Sequence, residues 1–320
     1  MIKFADMQRM VERQAGFQWG DKYQPSTFAT TREGSRISRI SRLNSARLGR
    51  ALHLQSTSET LFAKFALYHP RVFDLHEQKM LFPVPHQHPL DGHPTIIGAE
   101  LPYLEGTVSV ARRIGFVHKQ VIAELEDGSK VRAPYPYQGD LLLYLKDENS
   151  NPYAVNWNLK ATPADFKEKS RSAVKTPQQQ KKSKVNQVLR NELEEQYYAS
   201  AGIRTHKLTP ENLDSKFAAN LNLIFSFHLK QYTVDSKVLH DYSLELQESL
   251  SAGIPLSIVA IQYSKKWGFR DQFISKIYRD IWDRKLLVNL FEPVRIDHAL
   301  ESQVVDALDL YKYLFAEDTQ

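Results

Sequence analysis

Tyr137-Gln138-Gly139-Asp140-Leu141-Leu142-Leu143-Tyr144-Leu145 and, a few residues on, Tyr153-Ala154-Val155-Asn156-Trp157-Asn158-Leu159-Lys160 decide how this chain folds. Both runs are apolar and aromatic in the manner of strands. Polar residues from Asp147 to Pro152 separate them, so the pair reads as a β-hairpin. Asp140 then opens one strand and Lys160 closes the other, and in an antiparallel pair those ends are neighbours. Asn158 and Lys160 are two apart and share a face. A carboxylate, an amide oxygen and an ammonium should therefore converge at one end of a sheet.

Upstream, residues 56 to 69 read as a helix. Ser56, Thr57 and Ser58 offer N-caps, Leu61, Phe62, Phe65 and Ala66 form a 3.6-period stripe, and Pro70 stops it. Glu59 shares a face with Phe62, Ala63 and Ala66, which points it into the domain. A carboxylate there is costly unless paired or bound to a cation. A first-turn Glu is also favoured by the helix dipole alone. Combined with Asp140 and Lys160, however, it completes what metal-assisted hydrolysis of a phosphodiester needs. Mg²⁺ (or Mn²⁺) takes hard oxygen ligands: Glu59, Asp140, the Asn158 amide oxygen and the Leu159 carbonyl. Lys160 would orient or deprotonate the water, or stabilise charge on the phosphorane.

The chain has 320 residues, enough for two domains, with 42% hydrophobic and 25% charged residues, as in globular proteins. It has no cysteine, which excludes disulfides and thiolate zinc sites. No apolar run is long enough to span a bilayer. Met1-Ile2-Lys3-Phe4-Ala5-Asp6 carries no signal-peptide stretch, and a reducing cytoplasm is the expected location. The net charge of +5 fits a polyanionic partner. Arg32, Arg36, Arg39, Arg42, Arg47 and Arg50 recur in a Ser-, Gly- and Asn-rich stretch whose only acid is Glu33, which reads as an arm along a phosphate backbone. Residues 162 to 184 are basic too, with Lys167, Lys181 and Lys182 the candidates for DNA contact, although a solvated loop has the same composition.

Between these landmarks, Val72 to Gln78 alternates like a strand, residues 83 to 106 form a Pro-, His- and Gly-rich loop, and Val108 to Gly115 is a short helix. Val121 to Val131 reads as a hairpin closed at Asp127-Gly128. Val185 to Ala201 is a helix ending at Gly202, and Ile203 to Leu208 a last strand. Thr209-Pro210 marks a domain boundary. Helices follow at Phe217 to Lys230, Ser236 to Ala252, Pro255 to Tyr263 and Arg270 to Arg284. Leu286 to Phe291 and Val294 to His298 are then expected as two strands, the ordering of a winged helix. His86, His88 and His93 sit close to Asp91, but the interleaved prolines favour a polar loop over a zinc site. Phosphate-binding glycine motifs and Gly-x-Ser-x-Gly are absent.

The chain resembles the TnsA family, the endonuclease subunits of heteromeric cut-and-paste transposases, whose nuclease domain is of the PD-(D/E)XK, restriction-endonuclease-like type. The resemblance rests on Ser58-Glu59-Thr60-Leu61-Phe62, Val72-Phe73-Asp74-Leu75-His76-Glu77-Gln78, Asp140 before apolar residues, Asn158-Leu159-Lys160, and Glu192-Leu193-Glu194-Glu195-Gln196-Tyr197-Tyr198 before Gly202-Ile203. These pieces occur in family order across residues 56 to 208. Tyr278-Arg279-Asp280-Ile281-Trp282 resembles the family's winged-helix-like domain more loosely. The resemblance implies an α/β endonuclease domain over residues 1–208, with a basic arm to about residue 55, and a docking domain over 209–320. It implies Mg²⁺-dependent cleavage of the 5′ ends of a transposon in bacterial DNA. The implied partners are an integrase-type (TnsB-like) transposase and an AAA+ ATPase (TnsC-like) regulator. Asn158 departs from the wider nuclease pattern, where an acid precedes Leu-Lys; the family typically has glutamine there, and Asn is one methylene shorter. Two other readings share these residues: a restriction or repair endonuclease acting alone, and a non-catalytic DNA-binding assembly factor.

Overall fold

The computed structural model describes residues 4–16, 18–34, 38–94, 96, 100–124, 129–167 and 177–317, with backbone alone for 123, 124, 177, 181 and 182. The chain is a mixed α/β protein that divides into two compact units. Unit 1 holds the residues up to Ala66, Pro70–Pro210 and the tail from Leu314; unit 2 holds Leu67–His69 and Glu211–Tyr313. The change at residue 210 lies close to the expected boundary at 208. The return of the tail to unit 1 has no counterpart in the sequence reading.

Unit 1 begins with α1 (Phe4–Gln14), an amphipathic helix burying Met7 and Met10 that the sequence reading placed within the arm. β1 (Ser41–Ser45) and β2 (Arg50–Leu54) follow as an antiparallel pair. The second half of the expected arginine arm is thus a hairpin, with Leu43, Leu52 and Leu54 turned inward and Arg42 outward. α2 (Thr57–Tyr68) and β3 (Val72–Glu77) come next. Beyond them lie β4 (Met80–Leu81), α3 (Thr107–Arg113), the hairpin β5 (Gln120–Glu124) and β6 (Lys130–Pro134), and β7 (Tyr137–Gln138), which pairs with β4. The turn expected at Asp127-Gly128 lies outside the described residues.

The centre of unit 1 is a four-stranded mixed sheet in the order β10-β9-β8-β3, with β8 (Leu141–Lys146), β9 (Pro152–Leu159) and β10 (Arg204–Leu208). β8 runs antiparallel to both β3 and β9, and β10 runs parallel to β9. Leu141 pairs with Trp157 and Leu143 with Val155, which sorts the side chains into two faces. On one face, Phe62 and Phe65 of α2 pack on Trp157 with ring centroids 5.6 and 6.0 Å apart. On the other, Leu193, Tyr197 and Tyr198 of α4 (Pro177–Ala199) join Leu142, Tyr144 and Ala154 in one buried cluster. The helix between β9 and β10 supplies the long connection that a parallel pair requires. The same register sets Asp140 opposite Asn158, on the α4 side.

Unit 2 is mainly helical: α5 (Ser215–Phe225), α6 (Ser236–Ser251), α7 (Leu256–Trp267), α8 (Arg270–Trp282) and the short α9 (Ala307–Leu310). Asp214, Asp235 and Asp306 cap α5, α6 and α9 by accepting backbone N–H groups. The two strands expected at Leu286–Phe291 and Val294–His298 do not form; the one bridge there joins Val288 to Ser302. Residues 287–289 bond instead to residues 301–303: Asn289 N–H donates to the Glu301 carbonyl at 2.8 Å, and Gln303 N–H to the Leu287 carbonyl at 3.0 Å. The buried Asn220 side chain binds the segment between. Its Nδ2 donates to the carbonyls of Leu290 and Glu292, and its Oδ1 accepts from the N–H of Val294. Backbone groups that a strand partner would satisfy are taken by one side chain, and Pro293 between them has no N–H to offer a ladder.

Candidate active site

At the start of α2, Ser56 Oγ accepts from Glu59 N–H at 3.2 Å, and the Glu59 carboxylate accepts from Gln55 N–H at 2.7 Å and Ser56 Oγ at 3.0 Å. This reciprocal capping fixes the first turn. Glu59, Phe62, Ala63 and Ala66 are all buried, on the face their spacing predicts. Gln78, just after β3, adopts φ +49°, in the left-handed region. Its Nε2 donates to Glu59 at 2.9 Å and its N–H to the Asp140 carbonyl at 3.1 Å. Gln78 thus ties the helix carboxylate to the chain segment bearing Asp140.

At the end of the hairpin, Lys160 Nζ lies 2.7 Å from Asn158 Oδ1, 2.9 Å from the Leu159 carbonyl and 3.3 Å from Asp140 Oδ2. Asp140 Oδ2 also accepts from Leu159 N–H at 2.6 Å. Three oxygens from two strands therefore surround one ammonium. Gly139 comes so close to α4 that a Cβ there would lie 3.3 Å from the Tyr198 hydroxyl and 3.5 Å from Glu194 Oε1. The hydroxyl of Tyr198 and Oδ1 of Asn156 are buried beside it without a partner.

Burial, and then the charge of Asp140, push the Glu59 carboxyl up to about 8. Glu194 is raised by burial and by Asp140, against the lowering influence of Arg190 and Lys160. Two buried acids thus feel the Asp140 charge, an arrangement that a further cation would relieve. Among the described residues no three His, Asp or Glu side chains close on one point. The donor set is instead mixed: carboxylates, an amide oxygen and a backbone carbonyl. These are hard oxygen donors of the kind Mg²⁺ and Mn²⁺ take, and three of the four named groups already face a cation, the Lys160 ammonium. Asp140, Asn158 and the Leu159 carbonyl thus fit such an ion at the place the ammonium takes, while the Glu59 oxygens accept from Gln55, Ser56 and Gln78.

Asp140 and Lys160 are 22% and 25% exposed, and both open into a cleft of about 720 Å³. The cleft runs between α4, represented by Asn186, Arg190 and Glu194, and the segment from Phe116 to Lys119 with Tyr135 and Tyr137.

The expected phosphate contacts divide. Arg32, Arg39, Arg42 and Lys167 are exposed, and Arg47 is exposed while donating to the Val72 carbonyl. Arg50 has to be withdrawn from that set. Its guanidinium is 7% exposed, pairs with the fully buried Glu77 at 2.8 Å and donates to the Leu75 carbonyl. Arg36, and the side chains of Lys181 and Lys182, lie outside the described residues. His86 stacks on Phe82, His93 packs on Trp19 and Phe73, and His88 accepts from the N–H of Leu90.

Sequence reasoning assigned no role to Gln78 or Glu194. Glu194 was visible as the acid lying i+4 from Arg190 and i−4 from Tyr198 on the inner face of α4. Gln78 carries no such signal, because its role depends on a backbone conformation uncommon outside glycine.

No family model matches this chain, and no curated protein matches it. Among the described residues no helix is long and apolar enough to cross a membrane.

Proposed function

We propose that the chain is a metal-dependent DNA endonuclease with a restriction-endonuclease-like domain in unit 1. The observation that carries this reading is the cage of Asp140, Asn158 and the Leu159 carbonyl around Lys160, with Glu59 attached through Gln78. Glu59, Asp140, Asn158 and the Leu159 carbonyl would hold Mg²⁺ or Mn²⁺. Such an ion supplies Lewis acidity and a bound water of lowered pKa. Lys160 then faces the attacked phosphate, positions or deprotonates the water, and offsets charge as it builds on the phosphate oxygens.

The resemblance to TnsA makes the biological reaction cleavage of transposon 5′ ends, together with an integrase-type transposase and an AAA+ ATPase. Unit 2 would dock those partners. Its likeness to a winged helix rests on helices α5 to α8, since the expected two-stranded wing does not form. The test is strand cleavage of a transposon-end duplex with transposase and ATPase present. Mg²⁺-dependent nicking at the 5′ ends that is lost in Asp140→Ala supports the reading; undiminished nicking by both Asp140→Ala and Lys160→Ala removes it.

A further inference from the structure

Lys119 and Arg190 lie on opposite walls of the cleft beside Asp140 and Lys160, each held over a tyrosine ring. Lys119 Nζ sits 4.1 Å from the centroid of Tyr135, and the Arg190 guanidinium 4.5 Å from that of Tyr137. The two rings meet edge to face, 5.2 Å apart. The backbone of Lys119 is fixed at both ends: its N–H donates to the Tyr137 hydroxyl at 3.1 Å, and its carbonyl accepts from Tyr135 N–H at 2.9 Å. Arg190 donates to the Gln138 carbonyl at 3.0 Å and pairs with Glu194 at 3.4 Å. Lys119 is exposed and has no carboxylate partner among the described residues.

A cation over an aromatic face gains attraction without being neutralised. Its freedom is reduced while its charge stays available. With Lys160 the cleft presents three cations beside the acids Asp140 and Glu194, of which Glu194 is buried. One exposed cation, Lys119, and two half-buried ones, Arg190 and Lys160, each already facing an acid, suit a chain of phosphates whose scissile member must reach Asp140.

We propose that the strand to be cut enters along this cleft, its phosphates bound by Lys119 and Arg190, with Tyr135 and Tyr137 as positioning residues. The proposal rests on the nuclease reading and adds the strand's path, where the sequence reading places phosphate contacts at the arginines from Arg32 to Arg50 and at Lys167, Lys181 and Lys182.

The experiment is fluorescence anisotropy of a labelled mixed-sequence duplex over a salt series, without divalent cation, using the full chain. Each phosphate contact contributes about 0.9 to the slope of log affinity against log salt. Lys119→Gln should lower the slope by about that amount and weaken binding about fivefold to tenfold near 0.1 M salt. Tyr135→Leu should mimic it, and Tyr135→Phe, which keeps the ring, should rescue. Arg190→Lys should retain the slope that Arg190→Gln loses, with melting temperatures excluding misfolding. Wild-type binding with a slope unchanged in Lys119→Gln and Arg190→Gln overturns the path and leaves the nuclease reading intact. Slopes that fall as expected while both Asp140→Ala and Lys160→Ala cleave undiminished retain the phosphate contacts and overturn the proposed catalytic site. Absence of duplex binding by the wild type overturns the path, and the nuclease reading is then decided by the cleavage assay alone.

Discussion

The Lys160 ammonium lies 3.3 Å from Asp140 Oδ2 across the β8–β9 hairpin, at the point where a divalent cation would share the same oxygens. On the proposed reading, lysine and metal ion would compete for one cage. Replacing Lys160 by Met should raise Mn²⁺ affinity while lowering cleavage. About 1.4 kcal/mol of relieved repulsion between like charges is enough for a tenfold gain. Mn²⁺ binding followed by electron paramagnetic resonance measures it. Equal affinity in the two proteins would mean that the ammonium leaves the cage at no cost.

The ligands should differ in weight. Asp140→Ala removes a charge and the acceptor of the Leu159 N–H, and should abolish cleavage. Asn158→Ala removes a neutral group and should be milder. Asn158→Asp should keep cleavage and increase it at low Mg²⁺. Lys160→Ala should slow the chemical step by about 10²–10⁴-fold, the range for a positioned acid–base group. Single-turnover cleavage across a Mg²⁺ series separates these cases; a loss in Asn158→Ala as deep as in Asp140→Ala would contradict the ranking.

Arg50 and the arginines Arg39 and Arg42 should behave oppositely. Arg50→Ala leaves the buried Glu77 without its cation. Burial already pushes that carboxyl up to about 7, so it takes up a proton, and the loss should stay below the cost of a stranded charge, about 3–5 kcal/mol. Its effect belongs to urea stability. Arg39→Ala with Arg42→Ala should leave stability unchanged and weaken binding to any duplex, with a shallower salt dependence. A stable Arg50→Ala protein that binds DNA poorly would return Arg50 to the phosphate set.

How far these sites could be read from sequence follows from the range of the interactions that make them. The 141–145 and 153–159 runs declare their strands, and hairpin register alone brings Asp140 to Lys160. Glu59 is legible because Phe62, Ala63 and Ala66 share its helical face. Arg50 was misread because its partner, Glu77, lies 27 residues on and composition does not encode the pairing. The expected wing at 286–298 fails for a related reason: Asn220, some 70 residues upstream, takes the backbone groups of Leu290, Glu292 and Val294, and Leu287 and Asn289 bond to residues 303 and 301.

The Arg13–Glu33 fork predicts a pH dependence near the N-terminus. Both Glu33 oxygens accept from Arg13, at 2.7 and 2.9 Å, which holds the carboxyl at about 2, below its ordinary 4.5. A lowered carboxyl stabilises the fold fully above the unfolded value, and that stabilisation disappears as pH falls through the folded one. The stability gap between wild type and Glu33→Gln should therefore be constant above about pH 5 and close between about pH 4.5 and 2. Urea midpoints across that range test it; a gap that widened on acidification would reverse the assignment.

The tail should act as part of unit 1. Trp157 Nε1 donates to the Leu314 carbonyl at 2.7 Å, and the Phe315 ring packs 5.1 Å from both Phe65 and Trp157. Phe315 is 3% exposed, so its truncation leaves a cavity against the sheet. Phe315→Ala should cost about 3–5 kcal/mol, and Phe315→Leu should recover part of it. Ending the chain at Tyr313 should cost more, because the buried indole N–H then loses its acceptor. Trp267→Phe and Trp282→Phe together leave Trp19 and Trp157, both in unit 1, as the fluorescent reporters. In that background the unit 1 transition should move to lower urea in Phe315→Ala. An unmoved unit 1 transition would show that the Phe315 side chain contributes nothing to the stability of unit 1.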